Sequence, residues 1–86
     1  MYSSEQIHVR LRCENRIMDQ MIDIFGTEMK ILKRDEESFI ASVLVNKQGV
    51  LFLAQQFMEA IEIIEPDDLR EVMKEQLKLT LKKYSR

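Results

Sequence analysis

Ile7-His8-Val9-Arg10-Leu11-Arg12-Cys13 alternates without a break. Ile7, Val9, Leu11 and Cys13 fall to one side, and His8, Arg10 and Arg12 to the other. Period two over this run predicts a β-strand with one face buried and one left to solvent. Everything after it must therefore pack against a sheet. Asn15 is placed to cap a helix next, and Ile17, Met18, Met21, Ile22 and Phe25 recur at helical spacing. Gly26 follows the last of them, where a left-handed residue commonly ends a helix.

Residues 28–45 return to the extended pattern. Met29-Lys30-Ile31-Leu32-Lys33-Arg34 is apolar and basic by turns, Asp35-Glu36-Glu37 is a polar turn, and Ser38-Phe39-Ile40-Ala41-Ser42-Val43-Leu44-Val45 is rich in β-branched and aromatic residues. A hairpin is expected. Asn46-Lys47-Gln48-Gly49 punctuates, and Val50, Leu51, Leu53, Ala54, Phe57 and Met58 fit a second amphipathic helix. Ala60-Ile61-Glu62-Ile63-Ile64 is too short for a helix and reads as a strand. Pro66 then opens a last helix, at a position where its missing N–H costs nothing. Asp67, Asp68 and Glu71 suit the positive end of that helix, and Lys82, Lys83 and Arg86 the negative end. The order is β-α-β-β-α-β-α, an α+β fold. Its first six elements follow the split pattern of ferredoxin-like folds, βαββαβ, with an antiparallel sheet and two helices on one face. The C-terminal amphipathic helix is added to that core. The expected core spans about residues 6–65 and the last helix about 66–84.

The totals agree with one domain. Eighty-six residues, 45% hydrophobic and 33% charged with two glycines and one proline, are enough for a single modest core. Such a small core gains from self-association or from docking on a neighbour. The net charge of −2 does not mark a nucleic-acid binder, so any such contact needs a local patch. One cysteine, Cys13, excludes an internal disulfide and a multi-cysteine zinc cage, which suits a reducing compartment. No apolar run approaches the ~20 residues of a membrane span. Met1-Tyr2-Ser3-Ser4-Glu5-Gln6 lacks the basic and apolar regions of a secretory signal, so the cytoplasm is expected.

Three stretches together resemble a known family. Val9-Arg10-Leu11-Arg12-Cys13-Glu14-Asn15 leads to Met18 and then Met21-Ile22-Asp23-Ile24-Phe25-Gly26. Ile61-Glu62-Ile63-Ile64-Glu65-Pro66-Asp67-Asp68-Leu69-Arg70 follows, and Tyr84 stands two residues from the end. In order and spacing they are similar to the C-terminal extension (WCX) domain of WYL-domain-containing bacterial transcriptional regulators. The resemblance covers roughly residues 6–84. It implies a non-catalytic ferredoxin-like module that dimerises a transcription factor and helps to form its effector site. The expected partners are a second copy and the WYL and helix-turn-helix domains of a longer parent chain. The resemblance also admits a nucleic-acid effector. Neither the WYL motif nor a helix-turn-helix occurs here, so a fragment of a longer regulator is expected. The family often carries aromatic residues, tryptophan among them, in the second helix, followed by Phe-Gly. Here that region is Leu51-Phe52-Leu53-Ala54-Gln55-Gln56-Phe57-Met58, with Met58 where the glycine would stand, so another helix exit is expected.

Candidate sites follow from these faces. His8, Arg10 and Arg12, joined by Lys30 or Arg34, make a cationic sheet face able to hold carboxylates or phosphates. A solvated face, or ion pairs with Glu14 and Glu62, is the simpler reading of the same residues. Base stacking would need aromatics there, and only Phe39, its side unassigned, lies on these strands. Leu69, Val72, Met73, Leu77, Leu81 and Tyr84 form the stripe of the last helix. With two helices already on one face, that stripe is expected to cap the other face, against Leu32, Ile40, Leu44 and Ile64, or to meet a sister chain.

No catalytic, metal or cofactor site is expected. Asp67, Asp68 and Glu71 need no reason beyond the helix end. Cys13 and His8 point to opposite faces, and no glycine-rich phosphate loop is present. Two further readings stay open: a stand-alone ferredoxin-like small-molecule sensor, and a single-stranded nucleic-acid-binding module. The first lacks a glycine-bearing loop after the first strand, and the second lacks exposed aromatics.

Overall fold

A computed structural model describes residues 5–85. The first four residues, part of the stretch read for a signal, and Arg86, assigned to the negative helix end, lie outside the described residues. The described residues form one four-stranded antiparallel sheet and three α-helices, an α+β fold. The succession is β1 (Ile7–Glu14), α1 (Met18–Phe25), β2 (Lys30–Arg34), β3 (Ser38–Val45), α2 (Lys47–Phe57), β4 (Ile61–Glu65) and α3 (Asp67–Tyr84). The strands lie in the order β2-β3-β1-β4, and each neighbouring pair is antiparallel.

The alternation in β1 sorts its residues as expected: Val9, Leu11 and Cys13 are fully buried, while His8, Arg10 and Arg12 are exposed. Register carries the pattern across the sheet, because directly opposed residues share a face. Val9 stands opposite Val43, Leu11 opposite Ala41, and Cys13 between Phe39 and Ile61. All of these are buried, and they form one core with Met21 of α1, Val50, Leu53 and Ala54 of α2, and Leu69 and Met73 of α3. All three helices therefore serve the same sheet face. Phe39 is a core residue with 1% exposure, which settles its side.

The last helix does not cap the other face. Leu69 and Met73 fill the part of the core beside β4, and Gln55 of α2 hydrogen-bonds Gln76 of α3. Arg70 reaches the edge of the sheet, donating to the Ile63 carbonyl at 2.9 Å and to Glu62 at 2.7 Å. The first of these bonds occupies one backbone carbonyl of an edge strand. The opposite edge, β2, is exposed along its whole length. It is protected differently, by a bulge between Ile31 and Lys33 and by Lys30, Lys33 and Arg34.

Two local expectations are corrected. Asn15 does not cap α1, whose first turn follows Ile17 with no side-chain cap. Its amide instead donates to the carbonyls of Asp35 and Glu36, at 3.1 and 3.0 Å, tying the start of α1 to the β2–β3 turn. Capping belongs to Asn46, whose Oδ1 accepts from the Gly49 N–H at 2.6 Å and starts α2 three residues before Val50. The exit of α2 does not use another geometry either. Gly26 ends α1 at φ 58°, ψ −132°, and Met58 ends α2 at φ 46°, ψ −109°. Each is the first residue of a single 3-10 turn that leads to a strand. Met58 adopts a conformation that costs a side-chain-bearing residue about 1–3 kcal/mol.

Candidate functional site

Two surfaces hold the chemistry. The first is the open face of the sheet. His8 stands opposite Leu44, Arg10 opposite Ser42 and Arg12 opposite Ile40. On the other side of β3, Lys30 also meets Ser42 and Lys33 also meets Ile40. Two rows result, Lys30-Ser42-Arg10 and Lys33-Ile40-Arg12, so the strand β2 joins the cationic face through Lys30 and Lys33. Arg34, the alternative expected from alternation, stands opposite Phe39 instead. The bulge at Leu32 moves it, by adding one residue and reversing the side on which later residues fall.

Part of this positive charge is already answered. Arg12 lies 3.6 Å from Glu62, and Arg10 lies 3.4 Å from Glu65. Glu14, the other expected partner, pairs with Arg16. That pairing, followed by the charge of Glu59, raises the Arg16 pKa. These are exposed pairs, of the kind that contributes only about 0–1 kcal/mol. Lys30 and Lys33 form no ion pair among the described residues. The turn beside them is ordered by Asp35, whose carboxylate accepts the N–H groups of Ser38 and Glu37, both at 2.8 Å. Those bonds hold its carboxyl below the usual carboxylate range. On this open face Ile40 is half-buried and Leu44 exposed, while Ile64, half-buried, stands unpaired at the register shift between β1 and β4. Leu32, the fourth residue expected there, sits exposed in the bulge.

The second surface follows α3. Leu69 and Met73 are buried in the chain's own core, at 2% and 9% exposure. Val72 and Leu77 are 44% exposed, Leu81 is 66% exposed and Tyr84 82%. The six residues expected at an interface therefore divide into two inside the domain and four outside it. Between α3, β4 and the end of α2 runs an apolar groove of about 660 Å³. Ala54, Ile61, Ile63, Met73 and Leu77 line it, and Met58, Glu59, Arg70 and Lys74 stand with them. The sequence did not single out this groove. Its one visible signal was Met58, an apolar residue at a position that favours glycine.

Cys13 and His8 lie on opposite faces, as alternation requires. Burial pushes the Cys13 thiol up from its ordinary 9.0 to about 12, so at neutral pH it is a protonated core side chain rather than a nucleophile. Among the described residues no three His, Cys, Asp or Glu side chains gather closely enough to hold a metal ion. No helix among them is long and apolar enough to cross a membrane. No protein-family model and no curated protein matches the chain.

Proposed function

We propose that this chain is a non-catalytic regulatory module that pairs with a second copy through the outer part of α3 and offers its cationic sheet face to an anionic effector. That is the role expected of the C-terminal extension of a WYL-type transcriptional regulator working in the bacterial cytoplasm. The fold assignment that goes with it is the ferredoxin-like βαββαβ plan with one added helix. The element order and the central position of β1 and β3 in an antiparallel sheet support that plan.

One observation carries the reading. The stripe Leu69, Met73, Leu77, Leu81, Tyr84 runs at steps of four, four, four and three, a single face of α3. Its first members are buried and its last are bare, so one continuous apolar surface is only partly used. Helices that keep an apolar stripe beyond their own core meet another helix there. In a longer parent chain that meeting would hold two regulators side by side. Arg10, Arg12, Lys30 and Lys33, all on the open face, then supply charge to a site shared with the parent's other domains. Phe39 is unavailable for base stacking. A self-contained single-stranded nucleic-acid binder is therefore the less supported alternative.

Sedimentation equilibrium of the chain, alone and with a labelled single-stranded oligonucleotide, tests both halves. The expected mass at tens of micromolar is twice 10.3 kDa, falling to 10.3 kDa when Leu81 and Tyr84 are both changed to Ser. The oligonucleotide is expected to co-sediment at low salt and to be lost when Arg10 and Arg12 are changed to Ala. A monomer at every concentration that also ignores the oligonucleotide sinks the proposal.

A further inference from the structure

The open face of the sheet has an internal pattern that its charge alone does not convey. Across the strand order β2-β3-β1-β4, two rows repeat one sequence of types: Lys30-Ser42-Arg10-Glu65 and Lys33-Ile40-Arg12-Glu62. Cations therefore flank β3 on both sides, while β3 itself turns Ile40, Ser42 and Leu44 to this face. Neighbouring strands stand ~4.8 Å apart, so the two cationic walls are about 10 Å apart across a mostly aliphatic floor. All three helices serve the other face.

The acids nearby do not cancel this charge. Glu62 and Glu65 meet Arg12 and Arg10 from the β4 side, and Glu62 is also held by Arg70 at 2.7 Å. Glu14, at the end of β1, pairs with Arg16. Asp35 accepts the Ser38 and Glu37 N–H groups, and it lies with Glu36 and Glu37 in the turn beyond β2 and β3. Neither β2 nor β3 contains an acidic residue, and Lys30 and Lys33 have no ion pair among the described residues.

We infer that this trough seats an amphipathic helix of a partner protein, aliphatic along the stripe over Ile40 and Leu44 and acidic on both flanks, an inference resting on the reading of this face as the effector's. A helix is ~10–12 Å across, which matches the walls. Ile40 and Leu44 stand four residues apart on β3, about 13 Å, the length of two to three helical turns. A nucleic acid gains little from such a floor, because bases stack on aromatic rings and Phe39 is buried. The helices of a second copy fit less well. Asp19 and Asp23 lie to one side of Ile22 on α1, α2 has no acid, and the outer turns of α3 carry Lys78, Lys82 and Lys83.

A nitrogen-15 NMR titration at moderate salt separates the outcomes. The probes are capped peptides of about sixteen residues, long enough to form a helix alone. One carries a leucine stripe flanked by glutamates, one has the same composition scrambled, and one has lysine for glutamate. A single-stranded oligonucleotide is run beside them. The striped glutamate peptide is expected to move the amides of Lys30, Ile40, Ser42 and Leu44 saturably, and to bind roughly tenfold more tightly than its scrambled form. Changing Lys30 and Lys33 together to Gln, at exposed positions, should weaken it roughly fivefold. The lysine peptide should leave these amides in place. No saturable shift with the striped peptide, or equal affinity for the scrambled one, would overturn the inference. Tighter binding of the oligonucleotide would overturn it too, giving the face to nucleic acid and leaving its role as an effector face intact. If neither peptide nor oligonucleotide binds, that role falls as well. Face amides that move with protein concentration alone would assign the trough to a second copy and end the inference.

Discussion

The inner and outer halves of α3 carry the same stripe and have opposite fates. Leu69 and Met73 are buried among Ile63, Val50 and the rest of the core, whereas Leu77, Leu81 and Tyr84 face outward from the same side of the same helix. At ~1.5 Å per residue the eighteen residues of α3 run about 27 Å, long enough to outreach the five-residue strand beside it. Helical periodicity reports that a face is apolar. It does not report which molecule supplies the cover.

The inner half is the easier to break. Leu69→Ala removes a side chain with 2% exposure from the only core among the described residues, and should cost about 2–5 kcal/mol in chemical denaturation. For a domain this small that is a large share of its whole stability. A loss below about 1 kcal/mol would show that α3 is attached to the domain rather than part of it.

Ionising the core gives a second, slightly smaller test of the same half. The Cys13 pKa is raised from 9.0 to about 12 by burial, so the folded state binds its proton more tightly than the unfolded chain does. The stabilisation is therefore complete below pH 9 and is lost as pH rises toward about 12. Urea titrations at rising pH should show a decline of up to about 1.4 kcal/mol per pH unit in that window, absent in Cys13→Ala. Thiol-specific labelling at neutral pH should proceed no faster than unfolding. Rapid labelling of the native chain would mean that the core beneath the helices is open.

How far the sequence could be read follows the same division. Strict alternation in β1 settled which side of the sheet is buried, because period two leaves no second choice once one face is apolar. The order of elements was equally plain, since Gly26, Asp35 and Pro66 punctuate it. The bulge at Leu32 left no sign, because an inserted residue changes register without changing composition. Arg34 was accordingly paired with a face that Lys33 occupies. Asn15 failed as a cap because its amide found the carbonyls of Asp35 and Glu36, twenty and twenty-one residues away, and propensity scores only neighbours. His8, Arg10 and Arg12 were legible as one face, and so was Glu62 as a partner, met by Arg12; the pairing of Arg10 with Glu65 depends on a register shift beside β4 that left no sign. The groove was the least legible feature of all. It exists only because α3 lies beside α2 and β4, an arrangement that no local pattern records.

The outer half carries the smallest stability effect and the most informative one. Leu81 is 66% exposed, so Leu81→Asp removes little burial from a single chain and should change its dilute-solution stability by less than about 0.5 kcal/mol. The two halves of α3 then separate in a melting experiment run at two protein concentrations. A chain that pairs only when folded gains stability by mass action, so the unaltered protein should melt higher when concentrated. Leu81→Asp should melt at one temperature throughout, equal to that of the dilute unaltered chain. Leu69→Ala should melt lower at both concentrations while keeping the concentration dependence, provided enough of it folds. Should Leu81→Asp instead lower the melting temperature of the dilute protein by many degrees, the outer turns belong to the core after all. The bare end of the stripe would then be covered by the chain itself, and no second copy would be needed to explain it.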